Sequence, residues 1–192
     1  NSGFNLPGLL VNRNSLKSYN LLYTDEPSLA IFADEHAMEL TQASDVLITL
    51  YSSQLDKKGN KEILKQLDRL FPKAKIAGAT TSGEIDGKTV KTNEILISFH
   101  FFSHSKLVAH HIRNKPVEKM LSELVSLVEN NSKGILLFPV VVSDYFDIEL
   151  FLELLYGSLP SIPIFGGAAA EYGTFTKQYC FSGKEVHDNG IS

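Results

Sequence analysis

The feature of this sequence that most constrains its fold is a strand–helix–strand pattern that occurs twice. In the first copy, a short apolar run at 46–51 is followed by an amphipathic segment at 60–70 and by a second apolar run at 75–80. Short continuous apolar runs are typical of strands covered on both faces. Two such strands joined through a helix pair in parallel, with a right-handed crossover. The pattern therefore predicts a βαβ unit.

A second copy of the pattern has strands at 134–138 and 163–167 and a helix at 147–158. A shift of 88 positions lays the first copy on the second without a gap. This shift superposes Leu64 on Leu152, Leu67 on Leu155, Pro72 on Pro160, Ile76 on Ile164 and Gly78 on Gly166. We interpret the two copies as a degenerate internal duplication of residues 46–84 and 134–171.

Additional elements complete the predicted fold. Apolar spacing predicts helices at 28–43 and 117–129, and an antiparallel hairpin from strands at 93–102 and 107–112. Further strands are predicted at 178–181 and from 190, so the fold is expected to continue past the last residue. The predicted fold class is α/β: two duplicated parallel βαβ units, additional antiparallel strands in a mixed sheet, and helices packed on the sheets.

The chain is predicted to divide into a short leader and one domain. Residues 1–23 contain Pro7, Gly8 and several Asn and Ser, which favours irregular structure with at most a short strand near 9–11. Residues 24–192 are expected to form the domain, and the 43% hydrophobic content is sufficient for a sizeable core.

Composition and charge restrict the possible partners. A net charge of −4 argues against nonspecific nucleic-acid binding, and the lysines along the helix at 60–70 are interrupted by acids, as on a solvated face. No apolar run approaches the roughly 20 residues needed to cross a bilayer. No membrane segment is therefore predicted, and a cytoplasmic location is expected. Cys180 is the only cysteine, which excludes an intramolecular disulfide and a cysteine-based zinc site.

The ends of the predicted parallel strands are the candidate binding site, because ligands bind outside the carboxyl ends of parallel strands. Glu84 or Asp144 suits an ammonium group, while backbone amides and Ser or Thr hydroxyls suit a carboxylate, so a small zwitterion is the predicted ligand. The alternative is that the hydroxyls cap helices and the carboxylates pair with surface lysines. The candidate ligand-binding residues are Ser52, Ser53, Thr80, Thr81, Ser82, Gly83, Glu84, Asp144, Gly166, Gly167, Ala168 and Glu171.

Known catalytic motifs do not occur in the sequence. Gly78 and Gly83 are spaced as in a phosphate-binding P-loop, but Glu84 stands where that loop requires lysine. No Gly-x-Ser-x-Gly elbow occurs. Four histidines fall on the predicted hairpin, without a carboxylate cluster or a zinc-binding spacing; they are His100, His104, His110 and His111. No catalytic residue, cofactor or metal is predicted. An enzyme of hydrolase or transferase type at the same cleft, and a protein-interaction module without a small ligand, are the alternatives.

One segment resembles a known family. Gly78-Ala79-Thr80-Thr81-Ser82-Gly83-Glu84-Ile85, preceded by Leu70-Phe71-Pro72, resembles the signature of the FIST sensory domain. The strand and serines at 46–53, the segment Gly166-Gly167-Ala168 and the order of the elements between them fit the N-terminal domain of that family over 24–192. Gly167 is followed by alanines and Glu171, where the family pattern leads us to expect a more polar continuation.

The resemblance implies a non-enzymatic, intracellular sensory domain of a bacterial signal-transduction protein. Its implied ligand is an amino acid or a similar small metabolite. Its implied partner in cis is an effector domain, such as a histidine kinase, a diguanylate cyclase or phosphodiesterase, or a chemotaxis transducer. A homodimer is left open.

Overall fold

The structure, a computed structural model, describes residues 16–54, 56–86, 89–128, 131–141, 146–171 and 177–192, with the backbone alone for residue 86. Its helices are α1 (Glu26–Glu35), α2 (Ala37–Gln42), α3 (Lys57–Leu70), α4 (Val117–Leu127) and α5 (Ile148–Ser158). Its strands are β1 (Leu16–Leu22), β2 (Asp45–Ser52), β3 (Lys75–Thr80), β4 (Glu84–Asp86), β5 (Thr89–Lys91), β6 (Ile95–Phe102), β7 (Ile135–Leu137), β8 (Pro139–Val140), β9 (Ile164–Gly166), β10 (Cys180–Ser182), β11 (Glu185–His187) and β12 (Gly190–Ile191). Among the helices of these described ranges, none combines the length and the apolar character needed to span a lipid bilayer.

The largest sheet has six strands in the order β1-β6-β2-β3-β10-β11. β2 and β3 pair in parallel, and the other neighbours pair antiparallel. Helix α3 connects the two parallel strands, which confirms the first predicted βαβ unit. The Asp56 side chain caps the start of α3, and Ile63, Leu64 and Leu67 bury one face of this helix in the main core. The architecture is the predicted mixed α/β fold.

The second βαβ unit is formed by β7, α5 and β9, with β7 and β9 in parallel. Each unit contains one glycine that lies against the neighbouring strand. Gly78 has φ +149°, and a Cβ there would lie 2.0 Å from the Leu50 carbonyl oxygen. Gly166 has φ +138°, and a Cβ there would lie 1.9 Å from the Leu137 carbonyl oxygen. Only glycine fits either position, because both the space and the backbone conformation exclude a side chain.

The strand register corrects the gapless alignment of the two units. Leu50 is opposite Gly78, whereas Leu137, and not Phe138, is opposite Gly166. β7 therefore corresponds to β2 at a shift of 87, while the helices and the second strands keep the shift of 88. The second unit therefore has one residue more than the first between its first strand and its helix. The few identities between the two units could not reveal this difference.

Strand β1 lies where the sequence predicts irregular structure, so that prediction is wrong for residues 16–22. β1 pairs antiparallel with β6 along its whole length and forms the edge of the sheet. Tyr19 and Leu21 pack on the main core, but most of the remaining side chains are polar or exposed. Because β1 is a half-exposed edge strand, its apolar alternation is weak. The short strand predicted near 9–11 lies outside the described residues.

The predicted helix at 28–43 is two helices, α1 and α2, with a break at His36. His36 has φ −109° and ψ 18°, and its ring lies 4.1 Å from that of Tyr19 and 4.3 Å from that of Phe32, between ring centroids. The break coincides with this ring contact between a helix terminus and β1. The helix predicted from 60 begins three residues earlier, at the residue after its Asp56 cap.

The predicted hairpin between 93–102 and 107–112 is wrong. β6 forms as predicted, but residues 107–112 form no strand, and only Ile112 makes an isolated bridge, to Ile191. The reason is competition for strand edges: β1 and β2 already pair with the two edges of β6.

The histidines of the predicted hairpin consequently lie apart. His100 stays on β6, where its Nδ1 lies 2.9 Å from Ser18 Oγ. His111 lies past the strand, with its ring stacked on that of His187. Over the ranges that the structure describes, no group of three or more metal-ligating side chains could hold an ion.

Candidate functional site

Glu84 is the centre of the candidate site. It begins β4, directly after the end of the β3 strand and its turn, and is only 3% exposed. Its Oε1 accepts a hydrogen bond from Thr81 Oγ1 at 2.6 Å, and its Oε2 accepts one from Ser53 Oγ at 2.9 Å. Three of the predicted site residues, from the ends of two neighbouring parallel strands, therefore meet at one buried carboxyl group.

The Glu84 carboxylate makes no ion pair within the described part of the chain, although Lys91 is the residue opposite Glu84 in the pairing of β4 with β5. The lysine and arginine ion pairs found there all involve other acids. A carboxylate offers about four lone-pair positions, and the two hydroxyl donors occupy two of them. The group thus has acceptor capacity left for a further donor, such as an ammonium or hydroxyl group of a ligand.

Backbone hydrogen bonds hold the two hydroxyl donors in place. The Ser53 N–H donates to the Glu94 carbonyl oxygen at 3.2 Å, and Ser53 Oγ accepts from the Glu94 N–H at 3.2 Å. The Thr81 N–H donates to the Ser52 carbonyl oxygen at 3.0 Å. Gly83 has φ +153°, and a Cβ there would lie 2.9 Å from a backbone oxygen of β5, so glycine lets the chain fold back and bury Glu84.

The other predicted hydroxyls of the first unit do not reach the Glu84 carboxylate. Thr80 Oγ1 accepts from the Tyr179 N–H at 3.0 Å, so it fastens the start of the β10 segment to the end of β3. Ser52 is 1% exposed, and its Oγ makes no hydrogen bond within the described residues. Side chains alternate along a strand, so Ser52 lies on the face of β2 covered by helices, opposite to that of Ser53. Ser82 is exposed at the turn.

The end of the second unit meets the first through its main chain. The Ala170 N–H donates to the Thr80 carbonyl oxygen at 2.8 Å, and Ala169 is buried against Ala79 in a small apolar cluster. Gly166, Gly167 and Ala168, by contrast, are all exposed.

The second unit contributes two of the predicted carboxylates, Glu171 and Asp144. Glu171 Oε2 accepts a hydrogen bond from the Lys177 N–H at 2.9 Å. Asp144 lies outside the described residues. The strand ends thus adjoin as predicted, but the hydrogen-bonded cluster itself is formed by Ser53, Thr81 and Glu84.

One charged group near the strand ends was not found from the sequence. Lys57 is the first residue of α3. Its Nζ lies 2.8 Å from Asp188 Oδ2 and 5.8 Å from the centroid of the Tyr179 ring. These residues approach because the β10–β11 hairpin packs beside α3. Nothing in the local sequence pairs residue 57 with residue 188, so only the alignment of helix and hairpin in space reveals this contact.

A second polar cluster surrounds Cys180. Ser192 Oγ lies 3.2 Å from Cys180 Sγ and 3.0 Å from His111 Nδ1, and the rings of His111 and His187 stack with centroids 3.5 Å apart. Burial raises the pKa of the Cys180 thiol to about 11, and burial together with the neighbouring His187 lowers the pKa of His111 to about 4. At neutral pH the thiol is protonated and the imidazole is uncharged, so this cluster supplies no thiolate nucleophile.

The hydroxyls at Glu84 also lack the arrangement of an activated nucleophile. A serine or threonine nucleophile is usually activated by a histidine base that a third group orients. Among the described residues, no histidine hydrogen-bonds to Ser53 or Thr81, and both hydroxyls donate to the same carboxylate. The cluster is chemically suited to accept donors from a bound molecule.

The fold and the site together define an α/β domain made of two βαβ units, with a polar cluster at the strand ends. The chain belongs to the FIST N domain family, which matches residues 46–192 and thereby confirms the resemblance seen in the sequence. FIST domains are small-ligand sensory domains of signalling proteins. Comparison with curated proteins and with solved structures finds no match.

Proposed function

We propose that this chain is a cytoplasmic sensory domain of a bacterial signal-transduction protein, and that it binds an amino acid or a similar small metabolite at the strand ends around Glu84. Binding would regulate an attached effector, such as a histidine kinase, a diguanylate cyclase or phosphodiesterase, or a chemotaxis transducer. Such an output belongs to two-component or cyclic-di-GMP signalling. Family membership supports the sensory role, and the chemistry of the site supports the ligand class.

The observation that carries the proposal is the buried Glu84 carboxylate, which has two hydroxyl donors and no ion-pair partner in the described residues. Burying an unpaired carboxylate costs several kcal/mol, which an opposite charge in good geometry offsets. A ligand ammonium group would supply both that charge and up to three N–H donors. The ligand carboxylate would then bind nearby backbone amides and hydroxyls.

A ligand at this position would also lie beside the junction of the two units. The Thr80 carbonyl oxygen, one residue before Thr81, accepts the hydrogen bond from Ala170 that joins the second unit to the first. A ligand that contacts Thr81 and Glu84 could therefore favour one arrangement of this junction. The resulting shift cannot exceed the difference in the ligand's affinity for the two arrangements.

A thermal-shift screen of amino acids, amines and central metabolites tests the proposal. We expect stabilisation by compounds that carry an ammonium group, amounting to about 2.7 kcal/mol at a ligand concentration about 100 times its dissociation constant. Isothermal titration calorimetry then measures the affinity, and kinase or cyclase assays of the intact signalling protein measure the output.

Glu84→Gln is the discriminating variant, because it keeps the size of the side chain and removes its charge. We expect it to abolish the response to ammonium compounds. Glu149→Gln, at an exposed position of α5, is the matched control and should respond like the unaltered chain. A folded chain that no compound stabilises, or unaltered affinity in Glu84→Gln, would refute the proposed site.

A further inference from the structure

The correspondence between the two units extends to a hairpin. β4 and β5 correspond to β10 and β11 at a shift of 96, with equal strand lengths and two residues between the strands in each case. The pairing is also the same: Ile85 is opposite Val90, as Phe181 is opposite Val186. Each βαβ unit is thus followed by an equivalent hairpin.

The two hairpins differ in what they pack on. The second hairpin adds to the free edge of β3, with Phe181 opposite Gly78. Phe181 is 0% exposed and Val186 is 7% exposed, and both join the main core together with Leu64 of α3. In the first hairpin, which forms a sheet of its own, the equivalent Ile85 and Val90 are 71% and 72% exposed.

The surface that would receive the first hairpin is likewise uncovered. β9 is the equivalent of β3, and within the described ranges its only paired neighbour is β7, so the outer edge of β9 has no partner strand there. Leu152 on α5 is 40% exposed, although its counterpart Leu64 is fully buried beneath the second hairpin. Tyr156, one turn further along α5, is 66% exposed. Open apolar strand edges of this kind are sites of strand addition.

The charges of the internal contact are not repeated at the uncovered surfaces. In the internal contact, Lys61 of α3 pairs with Glu185 of the second hairpin at 3.0 Å. The residues at the equivalent positions are Glu149 of α5 and Thr89 of the first hairpin, so only the helix position carries a charge. The equivalence of the two contacts therefore rests on the strand pairing and on the apolar side chains.

We propose that the β4–β5 hairpin of one copy adds antiparallel to the outer edge of β9 in a second copy of this chain. The internal contact fixes the register, with Ile85 opposite Gly166, so that Ile85 and Val90 cover Leu152. Each copy carries both the hairpin and the β9 edge. In a two-fold dimer, the hairpin of each copy therefore pairs with the β9 edge of the other copy. The same register sets Glu84 opposite Gly167 of the second copy, which brings together the two halves of the predicted site across the interface.

Sedimentation velocity over a range of protein concentrations tests this interface. We expect a reversible dimer whose dissociation constant rises about tenfold or more in Ile85→Lys and in Val90→Lys. Both positions are highly exposed in a single copy, so circular dichroism should show an unchanged fold. Val108→Lys is the matched control, because Val108 is 71% exposed in a different part of the chain, and it should dimerise normally.

A cysteine pair tests the register. Asp86 would be opposite Phe165 of the second copy, so a chain carrying both Asp86→Cys and Phe165→Cys should form a covalent dimer on oxidation, while each single variant should not. A chain that stays monomeric at millimolar concentration overturns the proposal. A dimer that Ile85→Lys and Val90→Lys leave intact, or that fails to cross-link at this pair, overturns it as well.

Discussion

Thr81 Oγ1 donates a 2.6 Å hydrogen bond to Glu84 Oε1, and this contact ties the end of β3 to a carboxyl group that is only 3% exposed. The distance is in the range of O–H···O⁻ bonds, which are about twice as strong as bonds between neutral groups. The same hydroxyl therefore contributes to the stability of the domain and to the shape of the candidate site.

Thr81→Val should lower the free energy of unfolding by about 1–3 kcal/mol, because it leaves one oxygen of a buried carboxylate without its donor. Urea denaturation measures this loss, and any ligand response should disappear with it. Thr41→Val is the control: Thr41 is exposed on α2 and should change stability by less than about 0.5 kcal/mol. Equal stability of the two variants would contradict the role assigned to the Thr81 hydroxyl.

Gly78→Ala and Gly166→Ala should each lower the free energy of unfolding by about 3 kcal/mol or more, because the added Cβ meets a carbonyl oxygen in a backbone conformation that L-residues avoid. The control is Gly157→Ala in α5, where a Cβ has nothing within 4 Å. That change should instead stabilise the chain by about 0.5–1 kcal/mol, through helix propensity. Thermal melts rank the three variants, and tolerance of alanine at residue 78 or 166 would show that the strands can separate there.

Stability should fall as the pH drops from 7 towards 4. The pKa of His111 is lowered from 6.5 to about 4 by burial and the neighbouring His187, and burial also lowers the pKa of His187. Between these two values the unfolded chain binds more protons than the folded one, so acidification favours unfolding. With allowance for solvent screening, we expect a loss of about 1–2 kcal/mol between pH 7 and pH 5.

Urea denaturation at these two pH values checks the expectation. His111→Gln should reduce the pH dependence, while His104→Gln, at an exposed position, should leave it unchanged. An equal pH dependence in all three proteins would place its origin elsewhere.

Leu64→Ala and Leu152→Ala should differ sharply, although the two leucines are equivalent in the two units. Leu64 is fully buried, and its truncation should cost about 2–5 kcal/mol. Leu152 is 40% exposed in a single copy, and its truncation should cost only about 1 kcal/mol. Urea denaturation at low protein concentration, where the chain is a single copy, compares the two variants. Similar losses of stability would mean that Leu152 is buried within the single copy as well.

The parts of the fold that were predictable share one property: their signals are local. The strands β2 and β3, the helix α3 with its Asp56 cap, and the second unit all follow from runs and spacings within a few residues of each other. The strand-end residues were selected by the same argument, and the structure places Ser53 and Thr81 in hydrogen-bond contact with the buried Glu84 carboxyl group. The same argument also selected Gly166, which is exposed, because strand ends look alike in sequence whether or not another segment covers them.

The sequence alone determined the two βαβ units, the glycines between their strands and the family of the chain, because periodicity, capping and close approach are encoded by neighbouring residues. Only the tertiary structure decided which strand edges are paired. β1 occupies the edge of β6 that a hairpin at 107–112 would need, and the second hairpin covers α3 while the equivalent surface on α5 stays open. The physical reason is that a strand edge accepts one partner, and the competition among distant segments for that edge leaves no mark on the local pattern of any one of them.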